Sequence, residues 1–175
     1  LTSLSNLAIS YYHLGDYNKA LKTENKVYNA RKEVLGERDL DTLTSLSNLA
    51  IFYSNLGDHN KALEMENRVY NSRKQILGER DLDTLTSLSN LAITYSDLGD
   101  YNKAMKLHEE VYVLRKQILG VNHPDTLTSL FNLAGSYSDL GDYSKAFELH
   151  NTVYNARKEI LGEAHPDTLT SLSNL

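Results

Sequence analysis

Residues 41–50 read DTLTSLSNLA, and residues 83–92 repeat them letter for letter. Residues 125–134 repeat them again with one change, Phe131 in place of a serine. Partial copies open the chain at Leu1 and close it at Leu175, and the step is always 42 residues. A fixed period of this size marks a solenoid, in which one supersecondary unit is copied and each copy buries its apolar face against its neighbours. The units run 1–42, 43–84, 85–126 and 127–168, and 169–175 begin a truncated fifth, so that residues 1–175 form a single array. Units one and two differ at only ten of their 42 positions.

Each unit reads as two helices. In residues 43–84, Leu43, Leu46, Leu49, Ala50, Tyr53 and Leu56 recur at three- and four-residue steps, the mark of an amphipathic helix. Asp41 is the expected N-cap. Gly57 is the expected left-handed residue at its end, and Asp58 the cap of the next helix. That second helix carries Ala62, Leu63, Met65, Val69, Tyr70, Ile76 and Leu77 and stops at Gly78. The chain's only prolines, Pro124 and Pro166, stand one residue before the expected caps Asp125 and Asp167, where they do not disturb the helix that follows. Short connections force neighbouring helices to pack antiparallel. The fold class is therefore all-α, a stack of helix hairpins.

Composition removes several functions. Net charge is −5, from 18 basic and 23 acidic residues, and no basic run appears, which argues against a nucleic-acid partner. With no cysteine there is no disulfide and no thiolate metal site, which suits a reducing, cytoplasmic setting. No apolar run approaches the roughly 20 residues that span a bilayer, and no signal-peptide pattern is present. There is no Ser/His/Asp arrangement, no glycine-rich phosphate loop and no metal motif, so neither an enzyme nor a cofactor is expected. His108 and His150 replace Glu24 and Glu66 one unit apart, but two imidazoles without a carboxylate read as surface or interface residues. His123 and His165 read as local turn residues. Arg31, Arg73, Arg115 and Arg157 near the ends of the second helices suit the helix dipole, and their stems can cover the next unit.

The unit resembles the tetratricopeptide repeat. Tyr53, Gly57 and Ala62 stand at the spacing of that family's first-helix tyrosine, inter-helix glycine and second-helix alanine. Leu46 stands where the usual motif has tryptophan, and Val69 where it has a small residue. The family's common period is about 34. The 42-residue period and the pattern NLA…Y…LGD…KA…RK…ILG with an HPD linker look like the variant found in kinesin light chains and in the repeat arms of nephrocystin-type and nucleotide-binding sensor proteins. The resemblance implies an α-solenoid wound as a right-handed superhelix. It also implies first helices along a concave groove, second helices outside, and a protein-interaction scaffold.

At 100° per residue, Thr44, Asn48, Ile51 and Asn55 lie opposite the apolar row of the first helix. Their counterparts are Thr2, Asn6, Ile9 and His13, then Thr86, Asn90, Ile93 and Asp97, then Thr128, Asn132, Gly135 and Asp139. In tetratricopeptide proteins this row faces the groove. An asparagine offers two donors and an acceptor, enough to hold a peptide's N–H and C=O together without reading its side chains. First helices about 10 Å apart and a peptide advancing about 3.3–3.6 Å per residue bring one of Asn6, Asn48, Asn90 and Asn132 to about every third residue. The array of O-linked GlcNAc transferase is similar in using an asparagine ladder. The same amides can equally bond neighbouring helices, since in near-identical copies every residue forms a ladder. Ile51 and Ile93 either pack on the next unit or meet a ligand. Phe131 beside Gly135 either anchors a ligand's apolar group or fills the space the glycine leaves. Asp97 and Asp139 favour lysine or arginine in the peptide. The absence of Lys and Arg from the row disfavours a carboxylate clamp. A rival reading is a spacer that stacks head to tail through uncapped ends.

Overall fold

The computed structural model describes residues 1–175. It contains nine helices and no strand: α1 Thr2–His13, α2 Tyr17–Leu35, α3 Leu40–Asn55, α4 His59–Leu77, α5 Leu82–Asp97, α6 Tyr101–Leu119, α7 Pro124–Asp139, α8 Tyr143–Leu161 and α9 Pro166–Leu172. They form two compact bodies, Leu1–Leu98 with α1 to α5 and Gly99–Leu175 with α6 to α9. Within each body every helix packs against the next one in sequence. This is the stacked-hairpin packing of an α-solenoid.

The turn inside each hairpin follows from one glycine. Gly57 has φ +85°, a conformation that a Cβ disfavours. It lets the Asp58 N–H reach back to the Tyr53 carbonyl at 3.0 Å and the Gly57 N–H to Ser54 at 2.9 Å, so the last carbonyls of α3 are satisfied. Asp58 then caps α4, its Oδ1 accepting the Lys61 N–H at 3.2 Å.

The first helices begin two residues earlier than Asp41, Asp125 and Asp167 suggest. Asp39 caps α3 by accepting the Asp41 N–H at 2.9 Å. In α7 and α9 the caps are His123 and His165, whose Nδ1 atoms accept the N–H groups of Asp125 and Asp167 at 3.1 and 3.2 Å. An accepting Nδ1 carries no proton. Pro124 and Pro166 become the first helical residues, where proline's fixed φ is already helical and its missing N–H costs nothing. The aspartates remain useful in the first turn, where negative charge faces the positive end of the helix dipole.

The interior mixes small apolar residues with a buried polar layer. Ala62 and Val69 of α4 are fully buried, and with Leu46 and Leu49 they fill the hairpin. Between them the second helices bury Glu24, Glu66, His108 and His150. One turn from their ends they also bury Arg31, Arg73, Arg115 and Arg157. Arg73 Nη1 donates to the Asp83 carbonyl at 3.4 Å and to Ser87 Oγ at 2.9 Å, and its Nη2 donates to Thr44 Oγ1 at 3.0 Å. Arg31 reaches Asp41 and Ser45 in the same way, and Arg157 reaches Asp167, Ser171 and Thr128. The planar fork of arginine thus ties each second helix to the start of the first helix that follows.

Candidate functional site

The tenth position of the unit sets the shape of the first body. It is Ser10, Phe52, Thr94 and Ser136 in turn. Phe52 is buried and stacks on Tyr12 with ring centroids 5.1 Å apart, against Ala8 and Ala20. Thr94 holds the equivalent place one unit later with a side chain less than half the size, and its Oγ1 is turned back to the Asn90 carbonyl at 3.1 Å. A groove of about 430 Å³ opens there, over Ala50 and Thr94. Ile51 and Ile93 form its apolar walls, Tyr12 closes one end, and Glu66 and Asn90 line its depth.

Glu66 is 1% exposed. Its Oε1 accepts from Ser47 Oγ at 3.0 Å, while Oε2 is buried and accepts no hydrogen bond. Glu24, one unit earlier, is better served. Ser5 Oγ lies 3.1 and 2.9 Å from its two oxygens, and Asn48 Nδ2 donates to Oε1 at 3.3 Å. At Glu66 the matching asparagine, Asn90, gives its Nδ2 to Ser47 Oγ at 3.3 Å. Burial pushes the Glu66 carboxyl up to about 7, against the Ser47 hydroxyl, the Arg73 charge and the nearby Asn90 amide, which favour the ionised form.

Of the residues expected in a ligand groove, Asn90, Ile51, Ile93, Asn55 and Asp97 come together here. Asn55 Nδ2 is bonded to the Ile51 carbonyl at 2.9 Å. Asn48 points its amide at Glu24, and Asn6 is exposed on α1. Asn132, Asp139 and Phe131 belong to the second body. There Phe131 packs edge-on to His150 at 4.9 Å with the Arg157 guanidinium 5.5 Å from its ring centre. It lies along the core of Leu127, Leu130, Leu133 and Val153. A Cβ at Gly135 would meet nothing within 4 Å, so Phe131 does not fill the space beside the glycine. Burial alone holds the His150 imidazole below its ordinary pKa.

A serine, a histidine and an aspartate do meet, contrary to the reading of the sequence. Ser54 Oγ lies 2.5 Å from Asp97 Oδ2 and 3.1 Å from His59 Nδ1, and His59 Nδ1 lies 3.7 Å from the same Asp97 oxygen. The order is wrong for a nucleophile. A triad needs the imidazole between the other two, with its two nitrogens facing them separately. Here the serine proton points to the aspartate, and one ring nitrogen faces both. The cluster fixes the rim of the groove. Unit two alone has histidine where the other copies have Tyr17, Tyr101 and Tyr143, and that substitution was the available signal.

The sequence profile of the tetratricopeptide repeat matches residues 1–75, 68–117 and 83–159. The chain belongs to the tetratricopeptide repeat family. Its repeats are similar to those of kinesin light chain-like structures. A putative kinesin light chain from Podosopora anserina with nearly identical TPR-like repeats is 27% identical, matched over 100% of this chain and 83% of its own, with a TM-score of 0.83. Two less similar structures share the fold. BtubC (BKLC) from P. vanneervenii is 24% identical over 93% of this chain and 65% of its own, at a TM-score of 0.77. NprR in complex with its cognate peptide NprX is 20% identical over 98% and 53%, at 0.69. No curated protein matches the chain. The tetratricopeptide fold supports a protein-interaction scaffold, and no helix is long and apolar enough to cross a membrane.

Proposed function

We propose that the first body binds an extended peptide along α1, α3 and α5, with Asn48 and Asn90 contacting the peptide backbone. The observation that carries this reading is the groove itself, where Ile51, Ile93, Asn55, Asn90 and Asp97 line one opening about 430 Å³ in volume. Asn48 and Asn90 each commit one N–H to the interior, at Glu24 and Ser47. Both amides keep their carbonyls for a ligand, and Asn48 its second N–H as well. The tetratricopeptide-like NprR, solved with a peptide, lends support by fold. In the second body Asn132, Asp139 and Phe131 are the corresponding candidates for peptide contact. Peptides selected on this chain from a random display library should bind at least tenfold more weakly after Asn48→Ala and Asn90→Ala together, with helicity and melting unchanged. Undiminished affinity would exclude the asparagines, and a selection that yields no peptide would exclude the reading.

A further inference from the structure

We infer that the opening over Thr94 is a subsite for one cationic side chain, its stem lying between Ile51 and Ile93 and its charged head directed to the free oxygen of Glu66, with Asp97 adding negative charge at the rim. This deepens the peptide-binding proposal and rests on it for the origin of the side chain.

Three observations carry it. The first is a comparison between copies. Where the unit carries Phe52, against Tyr12, the space is filled, and where it carries Thr94, with Ser54 in the place of that tyrosine, it is open. The second is Glu66, whose Oε2 is buried without a hydrogen bond beside that space. A carboxylate oxygen removed from water and left unpaired costs on the order of 1–3 kcal/mol, so a donor brought to it has something to restore. The third is charge. The groups facing Glu66 are Ser47 from α3, Asn90 from α5 and Arg73 on its own helix. Arg73 is the only cation among them, and its Nη atoms are committed to Asp83, Ser87 and Thr44. Asp97 adds a second carboxylate to the same groove, and no lysine or arginine lines it. His59 at the rim shares the Ser54–Asp97 cluster.

The dimensions suit a lysine. Its four-carbon stem matches the apolar lining, and its compact ammonium brings a charged donor to Glu66. A norleucine side chain offers the same stem without the charge. The pair therefore separates the cation from the hydrophobic contact.

The test uses the full chain and two small probes, N-acetyl-lysine-N-methylamide and its norleucine counterpart, followed by amide NMR shifts. The lysine probe should shift Ile51, Ile93, Thr94 and Asp97 in a saturable way in the millimolar range. The norleucine probe should bind at least tenfold more weakly. Thr94→Phe, which copies Phe52 of the preceding unit, should abolish the response, and Glu66→Gln should weaken it about tenfold. If Thr94→Phe does not fold, Glu66→Gln alone decides. Equal response to the two probes, or a lysine response untouched by Glu66→Gln, would overturn the subsite. The probes carry no extended backbone. Their failure would thus leave asparagine-dependent peptide binding standing, and failure of the asparagine test would leave the subsite standing.

Discussion

Replacing Glu66 with glutamine should stabilise the protein at pH 8 by about 2–3 kcal/mol and leave it nearly unchanged at pH 4.5. The carboxyl sits at 4.5 in the unfolded chain and is raised to about 7 by burial in the folded one. The sign follows from proton linkage. Below pH 4.5 the acid is protonated in both states, and folding bears no charge-burial cost. As pH rises from 4.5 to 7 the unfolded chain loses its proton first, and stability falls. Above 7 the folded state must hold a buried carboxylate, and the full loss of about 3 kcal/mol is present. Glutamine keeps the shape, carries no charge and still accepts from Ser47. Urea unfolding at pH 4.5, 6 and 8 would read this directly, and a wild-type-to-variant difference that stays flat across the range would refute the burial argument. The outer carboxyls Glu37, Glu79 and Glu163 have the opposite tendency, their pKa values lowered by hydrogen bonds to Lys32, Lys74 and Lys158. They are fully exposed and common to both proteins, so the comparison cancels them.

The second large effect belongs to the arginine fork. Arg73→Met should cost about 3 kcal/mol, because it removes charge-assisted bonds to Asp83, Ser87 and Thr44 from a site that water barely reaches. Arg73→Lys should recover only part of the loss. A single ammonium cannot span acceptors on both neighbouring first helices. The same substitution removes the cation that favours an ionised Glu66, so Arg73→Met should hurt less in a Glu66→Gln background. A double-mutant cycle measures that coupling. Equal melting of the Lys variant and the wild type would show that charge alone, and not the fork, is what Arg73 contributes.

The hairpins, their boundaries at Gly57 and Gly78 and the identity of the core row were legible because spacing alone fixes them. Leu46, Leu49 and Ala50 fall on one stripe of a helix whatever surrounds it. The caps were misplaced by two residues because Asp39 and Asp41 are equally good acceptors on paper. Only the path of the linker chooses between them. In α7 and α9 the accepting group is an imidazole, which the usual capping preferences pass over. The groove wall could be read from Ile51, Ile93 and Asp97, which face away from the apolar stripe. Its depth could not. Glu66 looks like an ordinary helix-surface charge in a hydrophilic run. It is buried because Ala62, Val69 and Arg73 share its face and the neighbouring hairpins close over it. Thr94 carried a signal that comparison of copies makes visible, a buried position whose occupant changes from phenylalanine to threonine. The Ser54, His59 and Asp97 meeting depends on helices from two units, and no local pattern announces it.

In each body helices pack mainly on the element before or after them in the chain, and the loops between are only a few residues long. Contacts of such short sequence separation close small loops, and their entropy cost is low. Chains built this way have low contact order, which correlates with rapid folding. No one hairpin has a privileged place in the order of events, since each offers its neighbour the same docking face. A wound in one copy therefore opens that copy and those beside it first, while the remainder keeps its form.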